Sequence, residues 1–175
     1  MRAFAAIDIP DAVKDRIIDA SRYFSFRGVT LVKKEALHIT LGFFGEVGER
    51  MALEIEEAMD GIHCSSFEAR VHGISYFKPK RIRVIYAGIS DGAGRITEVH
   101  DALLGKLGIR DPERFVPHAT IGRIRGMQDR KAFLEIASEY EDYDFGSFEV
   151  GSIVLKTSTL TSNGPVYEEL HKSEL

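Results

Sequence analysis

Two five-residue stretches hold the side chains best suited to chemistry: His38-Ile39-Thr40-Leu41-Gly42 and His118-Ala119-Thr120-Ile121-Gly122. Both read His, aliphatic, Thr, aliphatic, Gly, and the two histidines lie 80 residues apart. In an extended strand, side chains two apart share a face, so each His stands beside its Thr while the aliphatic residues point the other way. That pattern describes a strand with one face in a core and the other in a wet cleft. A repeat of this kind implies two related units. Neutral imidazole accepts a proton and imidazolium donates one, so two of them flanking a bound group form an acid/base pair. Threonine hydroxyls and a nearby guanidinium are donors for non-bridging phosphate oxygens. If the two strands face each other, the set suits displacement at phosphorus without a metal. His38 would then stand opposite His118 across a shared cleft.

The other histidines, His63, His72, His100 and His171, have no Thr two residues on and are expected to be structural or at the surface. No Cys pair or His-x-x-x-His spacing points to zinc, so neither a metal nor a cofactor is expected. Lys33, Lys34, Lys78, Lys80, Arg81, Arg83 and Arg125 are candidates for a local grip on a nucleic acid. Phe43 or Phe44 is a candidate for stacking a base, since aromatic faces do so without sequence preference.

These motifs need a framework, and 175 residues suffice for one compact unit of two lobes, here read as a single domain over 1–175. Cys64 is the only cysteine, so no intrachain disulfide can form and a reducing, cytoplasmic setting is expected. An acid at Asp8 comes too early for a signal peptide, and no apolar run reaches membrane-spanning length. The net charge is −4, and residues 135–149 carry six acids and no base. A protein that wraps long nucleic acid shows a basic face instead. A nucleic-acid substrate would therefore be held locally, at a terminus.

Hydrophobic periodicity predicts strands at 2–8, 29–33, 37–44, 67–76, 82–89, 115–124, 143–150, 152–160 and 166–170. Helices are predicted at about 10–25, 49–60, through Val99 to Leu107, and at 128–139. Asp8 or Asp11 is the expected cap of the first helix, and Gly61 and Gly108 end the second and third. Strands interspersed with four helices suggest an α+β fold of antiparallel sheets covered by helices.

With these residues the chain resembles the 2H phosphoesterase superfamily, and within it the RNA 2′,3′-cyclic phosphodiesterases, also called 2′-5′ RNA ligases. The likeness runs nearly end to end: Arg2-Ala3-Phe4-Ala5-Ala6-Ile7-Asp8-Ile9-Pro10, Leu37 through Val47, Phe115 through Arg123, and Ser158-Thr159-Leu160 with Gly164-Pro165-Val166-Tyr167. The resemblance implies a bilobal α+β fold with pseudo-two-fold symmetry and two antiparallel sheets around a central cleft. It implies metal-independent opening of a 2′,3′-cyclic phosphate to a 2′-phosphate, with 2′-5′ ligation as the reverse chemistry. His118 would be the proton acceptor, His38 the proton donor, and Thr40, Thr120 and Arg123 the phosphate ligands. The implied partner is RNA with a 2′,3′-cyclic phosphate end, tRNA-derived ends among the candidates, bound by a monomer. Tyr86 departs from the pattern, standing where many relatives carry Trp.

Two other readings compete with this one. A 2H relative of different preference would act on a small cyclic nucleotide or an ADP-ribose cyclic phosphate, and a non-catalytic module would only bind RNA ends. The intact His and Thr of both motifs favour catalysis.

Overall fold

The computed structural model describes residues 1–77, 82–162 and 164–175. The chain runs β1 (Arg2–Asp8), α1 (Asp11–Ser21), β2 (Val29–Leu31), β3 (His38–Glu46), α2 (Glu49–Asp60), β4 (Phe67–Phe77) and β5 (Val84–Ile89). It continues through α3 (Ala93–Leu107), β6 (His118–Ile124), α4 (Arg130–Glu139), β7 (Asp144–Val150), β8 (Ser152–Thr161) and β9 (Gly164–Glu174). The predicted elements are present in the predicted order. The main differences are at ends: the first helix stops at Ser21, followed by a 3₁₀ turn over Arg22–Phe24, and the last strand continues to Glu174.

Among the described residues, nine strands form one antiparallel sheet in the order β7-β4-β5-β6-β3-β1-β8-β9, with β2 beside β6. Two lobes are visible in that order, β6-β5-β4-β7 and β3-β1-β8-β9. They are the two expected sheets, joined edge to edge where Ile39 pairs with Ala119. Two of the helices cross over between lobes. α1 leaves β1 of one lobe yet packs on β6 and β7 of the other, while α3 leaves β5 and packs on β3.

Strand alternation sorts side chains between two sides of the sheet. Ala3, Ala5 and Ile7 of β1, with Ile153 and Leu155 of β8, belong to the large core beneath the helices. Phe4, Ala6 and Val154 form a separate small cluster with Tyr167 against them, on the opposite side. Fully burying one such aliphatic or aromatic side chain contributes about 1.5–3 kcal/mol, so the helix-covered side supplies most of the stability. The smaller cluster is a floor for the cleft.

The first helix corrects one expectation. Pro10 is its N-cap, with no side-chain cap, and Asp11 lies in the first turn. Asp8 is turned elsewhere: its carboxylate accepts a hydrogen bond from Lys156 Nζ at 2.5 Å.

Candidate active site

The single paired position between the motif strands sets the site. Ile39 and Ala119 each follow their histidine, and both are fully buried. Carrying that antiparallel register one step either way puts His38 across from Thr120 and Thr40 across from His118, all four on the cleft side. The two histidines are then diagonal neighbours, a relationship that places Cα atoms about 7–8 Å apart in an antiparallel pair. His38, Thr40, His118 and Thr120 do line one cleft, with a volume of about 470 Å³.

Each motif strand carries a bulge just past its threonine. Ala6 pairs with Thr40 but Ala5 with Gly42, and Tyr86 pairs with Thr120 but Ile85 with Gly122. The extra residue shifts the alternation by one. The next side chain to enter the cleft is therefore five residues after each His rather than four. Those residues are Phe43 and Arg123, and both line it. Gly42 is consequently turned to the helix side, where an added Cβ would stand 3.3 Å from Leu104 of α3.

The two rings are held in matching ways by the backbone. His118 Nδ1 donates to the Val116 carbonyl at 2.7 Å. His38 likewise bonds the backbone of Ala36, also two residues upstream. A carbonyl only accepts, so the engaged nitrogen carries the proton, and in neutral His118 Nε2 is left as an acceptor. Aromatic rings flank both. Phe4 lies 4.8 Å and Tyr167 5.4 Å from His38, centroid to centroid, and Phe77 lies 4.9 Å and Tyr86 5.2 Å from His118.

Burial disfavours the charged form of both rings. His38 is lowered to about 4, first by desolvation and then by the positive charge of Lys156, opposed by the Ala36 hydrogen bond and Asp8. His118 is lowered as well, by desolvation with a smaller push from Arg123, and its Val116 bond works the other way. In the protein alone both rings are therefore neutral at pH 7. Tyr167 is raised by desolvation and countered by the positive charge of Arg123, which acts on His118 as well.

The remaining candidates separate. Lys33 lines the cleft, and Phe43 stands at it with 71 % of its surface exposed. Lys34 is occupied elsewhere, bonded to Asp15 at 2.5 Å with Asp11 at 3.8 Å. Arg125 lines a different hollow, with Ile82, Met127 and Arg130. Arg81 lies outside the described residues, as do Lys78 and Lys80. His100 is structural as expected: it is buried, bonds the Leu41 carbonyl at 2.6 Å and stacks on Phe115 at 3.8 Å. The sequence reading missed the rings around the histidines (Phe4, Phe77 and Tyr167) and the Asp8–Lys156 pair. The resemblance carried a signal for Phe4 and Asp8 in its opening stretch and for Tyr167 in its tail, and none for Phe77 or Lys156.

The family model for LigT-like phosphoesterases matches the chain twice, over residues 7–86 and 87–167, one match per motif. The chain belongs to the LigT-like phosphoesterase family. It is accordingly a phosphoesterase, built from two copies of the family's unit. The RNA 2′,3′-cyclic phosphodiesterase of Methanocaldococcus jannaschii is 38% identical over 96% of this chain and 97% of its own. That of Thermotoga maritima is 35% identical over 99% and 95%. Among solved structures, TT0787 of Thermus thermophilus superposes with a TM-score of 0.80 at 28% identity, over 100% of this chain and 98% of that one. E. coli LigT in its complex with 3′-AMP gives a TM-score of 0.82 at 20% identity, over 99% and 97%, a likeness of fold. Among the described residues no helix is long and apolar enough to cross a membrane.

Proposed function

We propose that the protein hydrolyses 2′,3′-cyclic phosphate ends of RNA to 2′-phosphates by paired-histidine acid/base catalysis. The observation that carries the reading is that His38, Thr40, His118, Thr120 and Arg123 line one cleft, on strands joined at Ile39–Ala119. The names of the M. jannaschii and T. maritima relatives point to the same substrate.

In the proposed reaction the cyclic phosphate sits between the rings, its non-bridging oxygens on Thr40, Thr120 and Arg123. Water attacks phosphorus as His118 takes its proton, and the P–O3′ bond breaks as His38 gives a proton to the 3′-oxygen. The product has a 2′-phosphate and a free 3′-hydroxyl, and the histidines exchange proton states. A 5′-hydroxyl attacking in place of water, with the same P–O3′ bond breaking and the proton passing to the 3′-oxygen, gives a 2′-5′ linkage.

The electrostatics bear on these roles. A donor with low proton affinity releases its proton readily to an alkoxide, and an acceptor with higher affinity takes one readily from water. The cost is population, because His38 at about 4 is rarely protonated at neutral pH. An anionic phosphate between the rings raises both affinities and offsets that cost. Phe43 would stack the terminal base and Lys33 meet the next phosphate. Both motifs come from one chain, so a monomer holds the complete set.

The test compares a cyclic-phosphate-ended oligonucleotide with the corresponding mononucleotide 2′,3′-cyclic phosphate and assigns the product by ³¹P NMR. Preferred turnover of the oligonucleotide to a 2′-phosphate is expected. Equal or better turnover of the mononucleotide would favour the small-ligand reading, and a 3′-phosphate product would reverse the leaving oxygen.

A further inference from the structure

The two halves match residue for residue at the motifs, yet the strand beside each motif differs at one decisive place. The cross-strand partner of His38 is Asp8 on β1, and the cross-strand partner of His118 is Gly88 on β5. Asp8 is held by Lys156, whose side chain is only 15% exposed. Alternation along β8 puts Lys156 on the same face as Val154, part of the cleft floor with Phe4 and Ala6. Lys156 is also directly across from Phe4, whose ring packs on His38. Neither Asp8 nor Lys156 is among the residues lining the cleft.

We propose that the Asp8–Lys156 ion pair is a positioning device that makes two otherwise matched histidines inequivalent, biasing His38 toward giving up a proton and leaving His118 as the acceptor. The inference rests on the paired-histidine reading above and adds what assigns the direction of proton flow.

Among the described residues, the charged and titratable groups around His38 are few. Asp8 comes from β1, Lys156 from β8 and Lys14 from α1, with Tyr167 of β9 against the ring. His118 and Arg123 of β6 lie in the same cleft. Of the three that act on its charge, Lys156 is the largest, and it outweighs Asp8. Around His118 the corresponding strand offers only the hydrogen of Gly88, and Arg123 is the one charge among the described residues that acts on it. Lys156 also keeps the Asp8 carboxylate from pairing with a protonated His38, which would lock the proton on the donor.

NMR titration of the two imidazoles in the protein without substrate tests the proposal, so it can fail while turnover stands, or hold while turnover fails. The proposal predicts that Lys156→Met raises the His38 midpoint by about one pH unit or more, the effect of a nearby charge, and leaves His118 in place. Lys156→Arg keeps the wild-type midpoints. In turnover, the acid limb of the kcat/KM profile moves up with His38 in Lys156→Met and stays put in Lys156→Arg. Should Lys156→Met not fold, Asp8→Asn provides the opposite sign, a lower His38 midpoint with Lys156 retained. An unmoved His38 midpoint in both variants, or equal movement of the two histidines, overturns the proposal.

Discussion

Phe43 and Arg123 occupy the same place in the two halves, each five residues beyond its histidine, each turned into the cleft by a bulge after the motif threonine. The symmetric scaffold thus presents a ring on one side and a guanidinium on the other. One end is suited to a base, the other to a phosphate.

That difference predicts opposite kinetic signatures. Arg123→Ala removes a donor to charge on the phosphate oxygens and is expected to lower kcat about 10²–10³-fold, the loss seen when one well-placed donor is removed. Phe43→Ala removes a stacking platform worth about 1–3 kcal/mol and is expected to raise KM for an oligonucleotide with little change in kcat. Steady-state kinetics on one substrate distinguish the two.

Removing either imidazole deletes one proton transfer. His38→Ala and His118→Ala are each expected to cost about 10²–10⁴-fold in kcat, with unchanged circular dichroism. Because both groups act together, the double variant should lose much less than the product of the two single losses.

His38 also predicts how stability follows pH. The unfolded chain binds this proton with the ordinary value of 6.5 and the folded chain only at about 4. Between those values the unfolded state holds more protons, so stability rises with pH. The contribution is complete above about 6.5 and is lost as the pH falls to about 4, an effect of at most about 3 kcal/mol. Urea unfolding at pH 7 and pH 4.5 measures it, and His38→Gln should flatten the difference. His118 adds to the same trend.

A fourth prediction concerns the loop that brings β2 alongside β6. Gly28 has φ +88°, and an added Cβ would sit 1.5 Å from the Gly126 carbonyl oxygen. The Gly28 carbonyl accepts from Arg125 N at 3.0 Å, so the contact cannot simply open. Gly28→Ala is expected to destabilise the protein by more than ~2 kcal/mol, combining left-handed strain with the clash. Gly45, with φ +69° but open space around it, should cost less on the same substitution. Thermal denaturation of the two variants gives the comparison.

Much of this site could be read from the chain alone because its signals are local. The His-x-Thr repeats, the alternation around them and the glycines that end helices report on neighbours in sequence. What escaped depends on contacts over long sequence separations. Asp8 reads equally well as a helix cap, and only the arrival of Lys156 from β8 gives it another partner. Lys34 reads as a free cation until α1 brings Asp15 to it. The crossing of α1 and α3 between lobes has no sequence signature, since the buried faces of both helices are mostly apolar residues at helical spacing. The bulges that aim Phe43 and Arg123 are likewise set by pairing rather than by residue type.

The most direct test of the account is single-turnover cleavage of an RNA ending in a 2′,3′-cyclic phosphate, in the presence of EDTA, across pH 4 to 9. The account predicts ring opening that persists in chelator, follows a bell-shaped pH dependence and is lost in His38→Ala and His118→Ala alike. Near-wild-type cleavage by either variant, or a rate that changes monotonically across that range, would contradict it.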